Sequence, residues 1–359
     1  MSTADGMNYA PQGRPAPVVQ AGDFLFAATA LDHGHIFGQC NGLIEAGGSL
    51  RYVYDPDPTK VADFLRRFPQ AVPAQSLEQI LDDPAIHLVT AAAVPCLRGP
   101  LGVRVMEAGK DYFTDKAPFT SLDQLEVARA AVVRTGRKYA VYYSERLHVE
   151  CAVHAGDLVR AGAIGRVVQV IGLGPHRLNA ATRPPWFFDH AQYGGILCDI
   201  GSHQVEQFLY YTGAQDAEVT DAAVANYHNP AYPGLEDYGH AGLLADNGAS
   251  GFFRIDWLTP DGLSVWGDGR TVILGTQGYI EMRKYVDVTR STGGNQLFLV
   301  DGQGEKHFSL TGQVGYPFFG QLILDCLNRT ENAMTQAHAF KAAEICLRAQ
   351  AQARVITRR

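Results

Sequence analysis

Asp111-Tyr-Phe-Thr-Asp-Lys-Ala-Pro118 is the stretch from which the rest of the chain can be read. It follows a helix-like run, Leu101 to Ala108, closed by Gly109-Lys110. A glycine with a basic neighbour is a helix stop. Tyr112 to Thr114 is a short buried-strand candidate, and Pro118 prevents simple continuation of that strand. A new helix starts at Ser121, whose hydroxyl can cap it. Its apolar positions are Leu122, Leu125, Val127, Ala128 and Ala131. Lys116 is therefore predicted at the carboxyl end of a strand in a strand–helix–strand series. In open parallel sheets that edge binds ligands. Taken alone, a surface lysine in a turn would read the same way.

Upstream, Phe24 to Ala30 is a continuous small-apolar run suited to a central parallel strand. The loop Leu31-Asp-His-Gly-His35 leads into a predicted helix from Ile36 to Ala46, stopped at Gly47-Gly48. Leu50 to Tyr54 is a second strand, ending at Asp55-Pro-Asp-Pro58. This βαβ unit has the length of half a dinucleotide-binding domain. Asp55 lies 21 residues beyond Gly34, where a ribose-binding carboxylate belongs. The glycine loop is incomplete. Ala30 stands at the first glycine position, leaving Gly34 and Gly38. An ordinary βα turn would also explain it; Asp55 favours phosphate binding by backbone N–H groups at the helix start. His33 and His35 form an HxH pair, weak as a metal signature, and no metal is expected.

Helices at Thr59 to Arg67, Ser76 to Leu81 and Arg98 to Ala108 alternate with a strand from Ile86 to Ala93. The helix opened by Ser121 ends at Gly136, before a strand from Lys138 to Tyr143. Strands separated by helices predict a doubly wound parallel sheet, an α/β Rossmann domain over residues 22–146. The pattern then changes. A helix at Glu150 to Ala161 and a strand at Val167 to Leu173 precede Arg183-Pro-Pro-Trp186 and Gly194-Gly-Ile-Leu-Cys-Asp199-Ile-Gly-Ser-His203. The second of these leads into a helix ending at Gly213. Strand-like runs follow around residues 217–225, 238–245, 249–257, 270–275, 279–284 and 296–301, with few helices between them. Residues 147–333 thus read as an α+β domain with a mostly antiparallel open sheet, for substrate and oligomerisation. Residues 334–359 read as a C-terminal helix packing back on the first domain. Residues 1–21, with three prolines and no apolar core, read as a flexible arm rather than a secretory signal.

Composition excludes several classes. At 359 residues, two domains are the better expectation. A net charge of −7 argues against nucleic-acid and anionic-membrane partners. The six cysteines form no CxxC and no disulfide framework, which suits a reducing cytoplasm. No apolar run reaches the ~18 residues of a membrane span.

With Asp115-Lys116-Ala-Pro118 and Gly194-Gly195 through Asp199-x-x-x-His203 both placed, the chain resembles the Gfo/Idh/MocA family of nicotinamide-dependent oxidoreductases. The resemblance runs from about Phe24 to the end. It implies a Rossmann domain, an α/β domain whose open sheet often joins subunits, and oxidation or reduction at a sugar, cyclitol or polyol carbon. A homodimer or homotetramer is expected. The departures are Ala117 between Lys116 and Pro118, the missing first glycine, Val94-Pro95-Cys96 for a common Thr-Pro-Asn, and Tyr193-Gly-Gly for three glycines. The cofactor set is then Leu31, His33, Gly34, His35 and Ile36 at the helix start, with Asp55, Val94, Pro95, Asp115 and Lys116. NAD is expected over NADP, because Asp55 would repel a 2′-phosphate and Lys60 is the nearest cation.

Hydride transfer to NAD requires a proton acceptor for the substrate hydroxyl, a task suited to histidine. His203 is assigned as that base. Lys116 would stabilise developing alkoxide charge. Asp199, one helical turn before His203, would orient substrate or histidine. Substrate contacts are expected from Tyr143, His176, Arg183, Trp186 and Tyr193, planar and aromatic groups flanking the predicted cleft. Two other functions fit parts of the pattern. One is a redox-neutral, NAD-dependent glycoside-cleaving enzyme on the same scaffold. The other is a non-catalytic dinucleotide-binding protein, which would not need a matched acid–base set.

Overall fold

The computed structural model describes residues 5–289 and 293–357. Of the expected N-terminal arm, residues 1–4 lie outside this range, as do residues 358–359 of the expected C-terminal segment. Contacts divide the chain into two units. One holds Met7–Tyr142 and Tyr316–Phe340; the other holds the described parts of Met1–Gly6, Tyr143–Gly315 and Lys341–Arg359.

The first unit is built on β1 (Leu25–Thr29), β2 (Ser49–Tyr54), β3 (Val72–Pro73), β4 (Ile86–Ala91), β5 (Asp111–Asp115) and β6 (Tyr139–Tyr142). They pair in the order β3-β2-β1-β4-β5-β6, all parallel. That is the doubly wound Rossmann order expected from the alternating pattern. The connecting helices are α1 (His35–Glu45), α2 (Pro58–Arg67), α3 (Leu77–Asp82), α4 (Pro95–Glu107) and α5 (Leu122–Thr135). Local chemistry sets their ends. Ser121 Oγ accepts from Gln124 N at the start of α5, and Gly136 closes it at φ 63°.

Helix α4 begins at Pro95, three residues before the Arg98 expected from sequence. Proline is suited to a first helical position, where its missing N–H costs nothing. Pro100 lies inside the helix, and the Cys96 carbonyl it cannot bond accepts instead from Gln124 Nε2 at 2.9 Å.

Residues 10–18, read from sequence as part of a flexible arm, run along α1. Asn41 Nδ2 donates to the Ala10 and Pro11 carbonyls at 3.3 and 3.2 Å. Gly13 N donates to the Glu45 carboxylate, and Ala16 N and Val18 N donate to the Glu45 and Ala46 carbonyls. The unit's core also recruits α11 (Pro317–Asn328) and the start of α12 (Gln336–Gln352): Phe318 and Phe319 pack on Phe113, and Phe340 stacks on Phe119.

The second unit opens with α6 (Ser144–Leu147) and α7 (Glu150–Arg160) and contains α8 (His190–Tyr193), α9 (Ile196–Asp199) and α10 (Gly201–Thr212). Its nine strands are β7 (Val167–Pro175), β8 (Ala217–Ala225), β9 (Tyr238–Ala245), β10 (Ser250–Asp256), β11 (Arg270–Gly275), β12 (Gly278–Arg283), β13 (Gln296–Asp301), β14 (Gly304–Ser309) and β15 (Arg354–Val355). Their order is β14-β13-β12-β11-β7-β10-β9-β8-β15, antiparallel except for β7 with β10 and β8 with β15. Helix α10 lies against β7 and β10, where Gly172, Gly174 and Gly251 leave room for Gln204 and Phe208. Elsewhere on the sheet Leu244, Phe252, Leu274 and Tyr279 are exposed.

Candidate functional site

In the Rossmann unit the chemistry gathers at the carboxyl ends of β1, β2, β4 and β5. Asp55 is buried at the end of β2, where Oδ2 accepts from Leu31 N at 2.7 Å and Oδ1 from Asp57 N at 2.9 Å. Lys60 Nζ lies 2.5 Å from Asp32 and 4.0 Å from Asp55. Val94 N donates to the other Asp32 oxygen at 3.3 Å. Ala30, at the missing-glycine position, adopts φ 51°, so the tight turn of a glycine loop forms without the glycine.

At the start of α1, Gly34 has no side-chain cap. Its space is used from within the chain: a Cβ there would lie 2.4 Å from the Met7 carbonyl and 2.9 Å from Asn8 Oδ1. Gly38 likewise makes room for the Tyr142 hydroxyl. Both glycines read from sequence as phosphate-loop residues thus have packing reasons as well.

Asp115 ends β5 as the hub of a buried cluster. His35 Nδ1 contacts Oδ1 at 2.9 Å, and His33 Nδ1 and Arg98 Nη2 contact Oδ2 at 3.2 and 3.1 Å. Burial alone would raise the Asp115 pKa, but His35, Arg98 and His33 hold it well below the usual carboxylate range. Burial, reinforced by His35, pushes His33 well below the usual histidine value, so it is neutral at pH 7. The donor atoms of His33, His35 and Asp115 lie within 4.8 Å of one another, a set chemically able to hold a metal ion. Arg98 already balances the Asp115 charge, which disfavours a second cation there.

Lys116, 5 % exposed, follows directly; its N–H donates to Asp115 Oδ1 at 2.8 Å. Its peptide bond to Ala117 is cis, and Arg98 Nη1 donates to the carbonyls of both residues. Sequence reasoning passed over Arg98, since nothing in its helical context marks a guanidinium that organises the Asp115-Lys116 turn.

In the other unit, Asp199 ends α9 half-buried, and His203 is buried in the first turn of α10. Its neighbour Gln204 donates to Glu145 Oε2 at 3.0 Å, and Lys284 Nζ reaches the same oxygen at 2.8 Å. Glu145 Oε1 lies 3.8 Å from His176 Nε2. Burial would raise Glu145, but Lys284, His203 and His176 pull it down to about 2. It is a fixed negative charge beside two histidines. His176 Nδ1 donates to the Gly174 carbonyl at 3.1 Å, and its ring packs on Trp266 and Trp257. Lys284 follows β12 in no recognisable motif, so sequence gave no sign of its partnership with Glu145.

Arg183 is buried with its guanidinium over Phe187 and Trp257, at 4.6 and 5.1 Å from the ring centres. Trp186, the aromatic chosen from sequence, is half-buried next to Phe187; Trp257 has the place against Arg183 and His176. The Tyr193 hydroxyl accepts from Glu236 N at 3.0 Å, which ties it to a loop. Tyr143 is fully buried, and burial raises its phenol well above the usual value.

Residues 31–143 match the family described as "Oxidoreductase family, NAD-binding Rossmann fold", and residues 153–281 match "GFO/IDH/MocA C-terminal domain". A solved structure from Erwinia carotovora atroseptica SCRI1043, described only as an oxidoreductase, is 52% identical. The similarity covers 93% of this chain and 100% of that one, with a TM-score of 0.90. The chain belongs to the Gfo/Idh/MocA oxidoreductase family.

Its Gfo/Idh/MocA relatives include scyllo-inositol 2-dehydrogenase (NAD(+)) of Bacillus subtilis (strain 168), 24% identical over 73% of this chain and 75% of that protein. They also include scyllo-inositol 2-dehydrogenase (NADP(+)) IolW of the same organism, 25% identical over 48% of this chain and 47% of that protein. The Gfo/Idh/MocA chain is thus an oxidoreductase with an NAD-binding Rossmann domain, and its relatives include enzymes named for NAD(+) and for NADP(+). The residues present fit such a cofactor: a helix N-terminus after β1, a carboxylate following β2 and a buried lysine following β5. Among the described residues no helix is long and apolar enough to cross a membrane.

Proposed function

We propose that this protein transfers a hydride between NAD and a hydroxyl-bearing carbon of a sugar, cyclitol or related polyol. The observation that carries the reading is Lys116, a buried lysine fixed at the carboxyl edge of a central parallel strand by Asp115 and Arg98. When bound, the nicotinamide supplies the hydride acceptor. Leu31, His33, Gly34, His35 and Ile36 would hold its phosphates at the start of α1, with Val94 and Pro95 beside them. Asp55 would take the ribose hydroxyls and disfavour a 2′-phosphate. Lys60 shares its charge with Asp32, which limits its use for that phosphate.

His203 accepts the substrate proton. Glu145 favours the imidazolium that results, because an ionised carboxylate stabilises a nearby cation. Lys116 stabilises the alkoxide as it develops, and Asp199 orients the substrate. Tyr143, His176, Arg183, Trp186 and Tyr193 are proposed around the substrate. The exposed apolar residues of the nine-stranded sheet support a homodimer or homotetramer through that surface. The test is single-turnover NADH formation across pH with a polyol panel. His203→Ala should cost on the order of 10²–10⁴ in rate and remove the rising limb. Lys116→Ala should cost at least as much, and NAD should still bind to both variants, since its other contacts are proposed around Gly34 and Asp55. Near-normal turnover of His203→Ala with an unchanged profile would reassign the base.

A further inference from the structure

The Arg183 guanidinium is paired with a carboxylate from the first residues of the chain. Its Nη2 donates to Asp5 Oδ1 at 2.7 Å, and the side chains of Arg183 and Asp5 are 1% and 6% exposed. Thr182 Oγ1 holds the other Asp5 oxygen at 3.2 Å. Two further Arg183 donors go to backbone carbonyls, Nε to Leu178 at 2.8 Å and Nη2 also to Arg177 at 3.3 Å. Gly6 packs against two aromatic rings beside Arg183: a Cβ there would be 3.1 Å from the Trp266 ring and 3.3 Å from the His176 ring. Asp199, the candidate orienting acid, is near enough for its charge to act on Arg183.

We propose that the Arg183 pocket is the seat of a substrate carboxylate, and that Asp5 holds this seat until substrate displaces it. The substrate is then a sugar or polyol acid, an aldonate or uronate. The inference deepens the dehydrogenase reading above and rests on it for the substrate's hydroxyl chemistry. A guanidinium this buried needs an anion, since removing one partner of a buried pair leaves an uncompensated charge. A neutral sugar entering in place of Asp5 would leave that charge exposed to desolvation. A carboxylate replaces Asp5 like for like, with the planar two-oxygen geometry a guanidinium matches. Withdrawal of Asp5 and Gly6 also uncovers the Trp266 face, a surface on which a sugar ring packs.

The test is calorimetric binding of D-gluconate and D-glucuronate, against D-glucose and D-glucitol, to the full chain with NAD. The proteins are wild type, Asp5→Asn, Thr182→Val and Arg183→Met. Removing an internal competitor tightens apparent affinity by the inverse of the fraction of open seats, here expected to be about tenfold for the carboxylates in Asp5→Asn. Neutral ligands should change less than about twofold by the same argument. Thr182→Val, which loosens Asp5 and keeps its charge, should shift carboxylate binding in the same direction by less, and covers the case in which Asp5→Asn does not fold. Arg183→Met should lose the preference for acids. Unchanged carboxylate affinity in Asp5→Asn and Thr182→Val, or an equal gain for neutral sugars, overturns the proposal and makes Asp5 a structural latch. Carboxylate binding without NADH formation would uphold the pocket and sink the dehydrogenase reading. NADH formation from neutral polyols without acid preference would do the reverse.

Discussion

Replacing Lys284 by methionine should expose how strongly the second unit depends on one buried ion pair. Lys284 Nζ lies 2.8 Å from Glu145 Oε2, with the two side chains 0% and 2% exposed. Methionine keeps most of the volume and removes the charge, leaving the Glu145 carboxylate with Gln204 and two histidines. Losing one partner of a buried pair typically costs about 3–5 kcal/mol. For a unit of this size that corresponds to a fall in Tm on the order of 10 °C. The loss should depend on pH in a defined direction. In the native pair Glu145 titrates at about 2, so its contribution is complete above the unfolded value and fades as pH falls through the range between them. In Lys284→Met, desolvation without the ammonium raises the Glu145 pKa. The penalty is then full above that raised value and shrinks as pH falls, because a protonated glutamic acid is cheaper to bury. Scanning calorimetry at pH 7.5 and 5.0 checks both points. Glu145→Gln/Lys284→Met should be more stable than Lys284→Met alone, since it carries no unpaired charge. A Lys284→Met variant within about 1 kcal/mol of wild type at pH 7.5, or a penalty that grows on acidification, refutes the reasoning.

Ala30→Gly should stabilise the protein by up to about 1 kcal/mol, because relief of the left-handed φ of 51° slightly outweighs glycine's extra chain entropy; urea titration measures it, and a clear loss counts against the strain. Gly34→Ala should drive the Met7–Asn8 backbone off α1 and speed chymotryptic cleavage after Tyr9, since the new Cβ would lie 2.4 Å from the Met7 carbonyl; an unchanged cleavage rate would contradict that. Asp55→Ala should weaken NAD and narrow its advantage over NADP by roughly tenfold, the worth of a strong hydrogen bond to a charged group; tighter NADP than NAD binding by the unmodified protein would sink the preference.

The Rossmann unit was legible because its strands are buried on both faces and its helices carry caps such as Ser121 and Gly136, signals that survive in one dimension. The edge strand β14 was missed for the opposite reason: Gly304-Glu-Lys-His-Phe-Ser309 is almost wholly exposed and shows no apolar alternation. The start of α4 was misjudged because Pro95 reads as a breaker and is in fact a first helical residue. Among the candidate site residues, Lys116, Asp115, Asp199 and His203 are marked by motif and strand-end position. Asp5, Arg98 and Lys284 were not, since each acquires its partner only through folding, across sequence separations of 178 residues for Asp5–Arg183 and 139 for Lys284–Glu145.

Neither unit is a continuous piece of chain, and this bears on how the protein is made. The Rossmann sheet is complete at Tyr142, yet its core takes Phe318, Phe319 and Phe340 from the segment Tyr316–Phe340. From Tyr142 to Phe340 is 340 − 142 = 198 residues. At ~5–20 residues per second the ribosome needs roughly 10–40 s to deliver them. For that interval the nascent amino-terminal sheet waits with Phe113 and Phe119 lacking their final neighbours. A stop codon placed after Tyr142 would fix that waiting state as a product, one prone to capture by chaperones.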